Sequence, residues 1–141
     1  MNVYVDASVL LRVVLGEPGR LRIWRRIEIA LASELIVVEC LRTIDRARIQ
    51  RGLADEEVAL RRAAVLEAVD AMTLVALEPP VLERAAEPFP TMLGTLDAIH
   101  LASAWVVRNR FEDLSLATHD RELAVAARAL GFDVHGASTR V

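Results

Sequence analysis

An α/β fold, with a parallel sheet covered by helices on both faces, is what this sequence predicts, on three observations. Short β-branched or aromatic runs alternate with longer stretches of helical periodicity, Gly and Pro punctuate the joins, and aspartates sit at the ends of two of the runs. Strands that alternate with helices pair in parallel through crossovers, and such sheets need cover on both sides. A central sheet of about four or five strands is expected.

The elements follow in order. Asn2 to Val5 reads as a buried strand that feeds, past Asp6, a helix over Ala7 to Leu15 interrupted by polar Arg12. Gly16, Pro18 and Gly19 break the pattern, and Leu21, Ile23, Trp24, Ile27 and Leu31 then resume helical spacing, so a second helix is expected over Leu21 to Leu31. Leu35 to Ile49 is an amphipathic helix that stops at Gly52. Asp55 to Asp70 is the next helix, with Asp55 as its expected cap and Glu57 and Arg61 at i,i+4 spacing. Thr73 to Leu77 is a strand, Pro79 to Ala86 one or two helical turns begun by proline, and the region of Pro88 and Pro90 a loop. Thr95 is the expected cap of a helix running to about Asn109, followed by a strand over Leu114 to Thr118. Asp120 to Leu130, closed by Gly131, is the last helix, and Phe132 to His135 a final strand.

The 141 residues suit a single compact domain, residues 1–141, able to bury a core without disulfides or a structural metal. A chain that is 54% hydrophobic and 26% charged is not a disordered one, and its apolar excess leaves room for a partner surface. No apolar run approaches the twenty or so residues of a membrane span, and the N-terminus lacks the basic start and cleavage region of a signal peptide. A cytoplasmic protein without membrane contact is expected. Cys40, the only cysteine, excludes an intrachain disulfide and a thiolate zinc site, and reads as a small buried residue. The net charge of −3 does not by itself suggest nucleic acid, but metal ions that neutralise clustered carboxylates are absent from that count. All 17 basic residues are arginine. The ordinary reading is codon bias in a GC-rich genome; the functional one is that guanidinium forks suit phosphate better than lysine does.

Four acids stand out by context. Asp6 directly follows the first strand, and Asp120 follows Leu116-Ala117-Thr118 after His119, so both fall at the carboxyl ends of strands where open α/β sheets bind ligands. Asp97 lies in the first turn of its helix, where the dipole favours a carboxylate, and Glu39 interrupts an apolar stretch. Each has an ordinary alternative. Asp6 and Asp120 could be helix caps, Asp97 could complement its dipole, and Glu39 could pair with Arg42 or Arg46 on a solvated face.

Taken together, Tyr4-Val5-Asp6-Ala7-Ser8, Val38-Glu39-Cys40-Leu41-Arg42, Leu96-Asp97-Ala98-Ile99-His100-Leu101-Ala102 and Ala117-Thr118-His119-Asp120-Arg121, in that order, carry a resemblance over almost the whole chain. The sequence resembles the PIN-domain nucleases, and among them the VapC toxins of bacterial toxin–antitoxin pairs. The resemblance implies a three-layer α/β/α, Rossmann-like PIN fold and a metal-dependent endoribonuclease. Asp6, Glu39, Asp97 and Asp120 would be its catalytic and metal-binding acids, with Ser8 and Thr118 as hydroxyls that orient carboxylates or water. Glu34 competes for the second position, and Arg42, in helical register with Glu39 as in similar toxins, favours Glu39. Implied partners are an RNA substrate, a cognate antitoxin in a hetero-oligomer, and a second copy in a homodimer. A groove at the Trp24-containing segment would receive the antitoxin.

The chemistry suits the residue types. Phosphodiester hydrolysis needs a deprotonated water, an in-line approach and neutralisation of growing charge, which Mg2+, or Mn2+ in its place, supplies among oxygen ligands. His100, three residues after Asp97, reads as a packed or hydrogen-bonded histidine, His119 as a residue near substrate, and His135 carries no signal. A receiver domain or haloacid-dehalogenase-type phosphatase would also gather acids, but both look for a lysine near the phosphoryl group, and this chain has none. A catalytically silent PIN-like module that binds RNA or protein is the non-enzymatic alternative.

Overall fold

A computed structural model describes residues 1–19 and 21–137; Arg20 and residues 138–141 of the expected 1–141 domain lie outside the described residues. Five parallel strands form one sheet in the order β3-β2-β1-β4-β5. The strands are β1 (Asn2–Val5), β2 (Ile29–Ser33), β3 (Thr73–Val75), β4 (Ser115–Thr118) and β5 (Val134–Gly136). The helices are α1 (Ala7–Val14), α2 (Leu35–Arg51), α3 (Asp55–Asp70), α4 (Pro79–Ala86), α5 (Thr95–Val107) and α6 (Arg121–Ala129).

Side-chain alternation along β1 divides the core. Tyr4 packs with Leu31, Leu101, Leu116 and Leu123 beneath α4, α5 and α6, whereas Val3 and Val5 turn to the other face with Val9 and Ala117. On that side Leu10 of α1, Ile36, Cys40 and Ile44 of α2, and Val65 and Val69 of α3 form a second cluster. Helices thus cover both faces, and the layers are those of a three-layer α/β/α fold. Among the described residues no helix is long and apolar enough to cross a membrane.

The helix expected over Leu21 to Leu31 is not formed. Arg22–Arg26 makes a short 3-10 turn, Ile27 turns extended, and Ile29–Ser33 becomes β2. A short apolar run satisfies helical and strand periods alike, and pairing decides between them. Asn2, Val3 and Tyr4 of β1 meet Ile29, Ala30 and Leu31, which gives the buried backbone of β1 hydrogen-bond partners on its second flank. Two expected caps also move by one residue. Ala54 and Gly94 occupy the cap positions of α3 and α5, and Asp55 and Thr95 are the first helical residues, with no side-chain cap bond at either end. Gly52 ends α2 in the left-handed conformation, φ 63°, which suits a residue without Cβ. The Glu57–Arg61 pair forms at 2.9 Å.

Candidate active site

The strand order reverses between β1 and β4: the chain runs outward from β1 through β2 to β3, then returns to β4 on the other flank of β1. A crevice at the carboxyl ends of these two strands is the place where an open α/β sheet binds ligands. Asp6 stands at this point, only 5% exposed. Its backbone N–H extends the ladder to Ala117 O at 3.0 Å, and its side chain does not cap α1. Instead Ser8 Oγ and Thr118 Oγ1 donate to Asp6 Oδ2 at 2.8 and 2.7 Å. Both hydroxyls are themselves fixed, Ser8 by His119 N–H and Thr118 by Asp120 N–H, each at 3.0 Å. One oxygen of Asp6 is thereby held from β4 and α1, and among the described residues Oδ1 accepts no hydrogen bond.

Glu39 enters from α2, and its carboxylate pairs with His100 Nε2 of α5. The same nitrogen lies 3.9 Å from Asp6 Oδ1. The imidazole is fully buried, and its Nδ1 is 2.9 Å from Tyr4 Oη, which accepts in turn from Ser33 N–H at 3.0 Å. The two ring nitrogens of His100 thus bridge Tyr4 and Glu39, and the protonation state of the ring sets which partner donates at each contact. Burial opposes charge on His100, but the Glu39 hydrogen bond and the charges of Glu39, Asp6 and Asp97 outweigh it and raise its pKa. Burial also pushes Tyr4 far up, with smaller charge effects from Asp6 and Glu39, so it stays a phenol. Glu34 is engaged elsewhere: its Oε1 accepts from Leu77 N–H at 2.8 Å. Of the two arginines expected as ordinary partners of Glu39, Arg42 pairs with Asp45 at 3.2 Å and Arg46 makes no ion pair among the described residues; His100 takes that role.

Asp97, in the first turn of α5, is pushed up to about 6, first by burial and then by the charges of Asp120, Asp6 and Glu39, with His100 opposing. Asp120 caps α6, its Oδ1 accepting from Leu123 N–H at 3.0 Å. Its ordinary reading as a cap is therefore correct for one oxygen, while its charge bears on Asp97. His119 is held low by burial and by Arg12, and its Nε2 is buried without a hydrogen-bond partner among the described residues. Cys40 is fully buried and pushed up to about 12 by burial and by the Glu39 and Asp6 charges, so it remains a thiol.

Among the described residues no three His, Cys, Asp and Glu side chains stand ready-placed around a metal ion. The donor chemistry nevertheless fits a hard divalent cation. The acids present unengaged carboxylate oxygens, one of them the Asp6 Oδ1 left open by two hydroxyls, beside one unengaged imidazole nitrogen on His119, and the repulsion that helps raise Asp97 is what a cation would relieve.

The sequence alone does not single out Tyr4 or Ser33, and marks His100 only as a packed or hydrogen-bonded histidine. The Asp97-to-His100 spacing is the one local signal, since it puts both on neighbouring faces of α5; the reach of His100 to Glu39 and Tyr4 depends on packing.

The family model described as PIN domain matches residues 3–129. Ribonuclease VapC47 of Mycobacterium tuberculosis (strain CDC 1551 / Oshkosh) is 32% identical over 137 residues, covering 92% of this chain and 93% of its own. Ribonuclease VapC46 of Mycobacterium tuberculosis (strain ATCC 25618 / H37Rv) is 31% identical over 135 residues, covering 94% and 95%. The fold is similar to that in the crystal structure of VapBC2 from Rickettsia felis bound to a DNA fragment from its promoter. There the TM-score is 0.66 at 9% identity, over 95% of this chain and 97% of the other.

Proposed function

Because the chain belongs to the PIN-domain family, and within it to the VapC-type ribonucleases, we propose that it is a magnesium-dependent endoribonuclease. Manganese would substitute for magnesium. The observation that carries this reading is that Asp120, Asp6 and Glu39, from three other stretches of chain, all bear on Asp97, with Asp6 standing at the β1–β4 switch point. Asp6, Asp97, Asp120 and Glu39 would hold the ion. When bound, it supplies neutralisation of the phosphate charge and a more acidic water. The chain's own part is positional. Ser8 and Thr118 fix Asp6, Asp120 is held by its capping bond, and His100 fixes Glu39, so that the acids are oriented before substrate arrives. Cleavage of structured cellular RNAs with magnesium or manganese, and its loss in EDTA, is the test. Intact RNA across a range of both metals would remove the enzymatic reading and leave a silent RNA- or protein-binding module.

The same reading makes the chain the cytoplasmic toxin of a toxin–antitoxin pair, active as a homodimer and silenced in a hetero-oligomer with its antitoxin. In support, a cavity of about 680 Å3 between α1, α3 and the 3-10 turn is lined by Val14, Trp24, Ile27, Ala68 and Met72. An apolar antitoxin segment suits it, even though Trp24 sits on a 3-10 turn and not on the helix expected there. Expression of the chain alone should arrest bacterial growth, and expression of Asp97→Asn should not. Equal growth of the two strains would reject the toxin role, and sedimentation at monomer mass the homodimer.

A further inference from the structure

We propose that the groove between α1 and α2 binds the backbone phosphates of the RNA strand on one side of the scissile bond, through Arg12, Arg46 and Arg51. A cavity of about 470 Å3 opens here, and Ser8, His119 and Asp120 form the wall that it shares with the acidic site. Its other side is lined by Arg12 of α1, by Arg46, Gln50 and Arg51 of α2, and by the single acid Glu17, which leaves the three arginines in excess there. Among the described residues none of these three arginines makes an ion pair or a side-chain hydrogen bond, whereas Arg42, Arg48 and Arg61 are paired with Asp45 or Glu57. Three unpaired guanidinium groups around one cavity, in a chain of net charge −3, form a local cationic surface against the overall balance.

Helix geometry gives the surface a direction. Arg12 is one turn beyond Ser8, about 6 Å along the axis of α1, and Arg46 is two turns beyond Glu39, about 10 Å along α2. Glu39, Thr43, Arg46 and Gln50 recur at helical spacing, so one stripe of α2 leads from the acidic centre into the groove. A polyanion with one phosphate at the carboxylates has its next phosphates where these arginines stand, and the Thr43 and Gln50 side chains suit phosphate or ribose oxygens. Arginine forks match phosphate in two-point contacts. An acidic peptide would find the same cations but no use for the adjoining carboxylate wall. That the ligand is RNA rests on the ribonuclease reading; the cationic groove does not.

Fluorescence anisotropy of a labelled single-stranded oligoribonucleotide, measured with the full chain in EDTA over a series of salt concentrations, tests this. The Arg12→Gln/Arg46→Gln variant should bind at least about tenfold more weakly at low salt, and the slope of log affinity against log salt should fall by about 0.7 for each arginine removed. Arg46→Gln alone, at an exposed position, should show half of the slope change without any demand on folding, and Arg25→Gln on the 3-10 turn should show none. Unchanged affinity and slope in the double variant, or an equal loss in Arg25→Gln, would overturn the assignment, as would a loss confined to a polyglutamate probe. A lowered slope without any metal-dependent cleavage keeps the groove and removes the ribonuclease reading. Cleavage with unchanged KM and unchanged binding removes the groove alone.

Discussion

Tyr4 Oη and His100 Nδ1 lie 2.9 Å apart in the centre of the protein, both side chains at 0% exposure. Through this contact the first strand orients a histidine on α5, and the histidine in turn holds Glu39 on α2. Removing the phenol oxygen leaves two buried groups without a partner, the Ser33 N–H and His100 Nδ1. Tyr4→Phe should therefore destabilise the protein by about 1–3 kcal/mol, the cost of buried polar groups left unpaired. Chemical denaturation measures it, and a loss below about 0.5 kcal/mol would show that water or repacking restores both bonds.

The raised carboxyl of Asp97 makes the metal-free protein sensitive to pH. Its pKa moves from the ordinary 3.8 to about 6, because burial and then the Asp120 and Asp6 charges favour the neutral form. The folded state thus holds this proton more tightly than the unfolded chain. The resulting stability is complete below pH 3.8 and is lost as pH rises through about 6. In EDTA, wild-type Tm should fall over this window, and Asp97→Asn should flatten the fall. Manganese should reverse the loss at neutral pH, by about 2.7 kcal/mol when free ion is a hundredfold above its Kd. A variant that responds to manganese as fully as wild type would remove Asp97 from the proposed ligand set.

Asp120 caps α6 and belongs to the proposed ligand set, and two substitutions can divide the two roles. Asparagine still caps a helix, so Asp120→Asn should keep the unfolding free energy within about 0.5 kcal/mol of wild type while weakening metal response and cleavage. Asp120→Ala loses the bond to Leu123 N–H as well and should cost about 1 kcal/mol more. Equal thermal stability of the two variants would contradict the capping role.

Asp6→Asn should lower the cleavage rate by more than about a hundredfold, since even groups that only orient a metal ligand are worth about 10–100-fold. Ser8→Ala removes one of the two hydroxyls on Asp6 Oδ2 and the acceptor for His119 N–H. Its rate should fall by about tenfold, between wild type and Asp6→Asn. Single-turnover rates decide the order, and a Ser8→Ala rate equal to wild type would show that Thr118 alone orients the carboxylate.

The α/β alternation, the extents of α2 and α3 to within two residues, the stop at Gly52, and the placing of Asp6 and Asp120 at strand ends are all legible in the chain's local patterns. These are local matters: periodicity, glycine conformation and the join between a strand and its following helix are set by neighbours along the chain. Local patterns do not determine β2. Ile29–Ser33 is a strand because β1 needs a second paired flank, a requirement carried by residues far away in sequence. The choice between Glu39 and Glu34 as the acid facing Asp6 across His100 was likewise tertiary. Both lie in the same stretch of chain, and only the packing of α5 against the sheet brings His100 to one, while Leu77 after β3 claims the other. The Tyr4–His100 bond spans 96 residues of sequence, and no local pattern encodes a contact that depends on where two faces of a sheet and a helix meet.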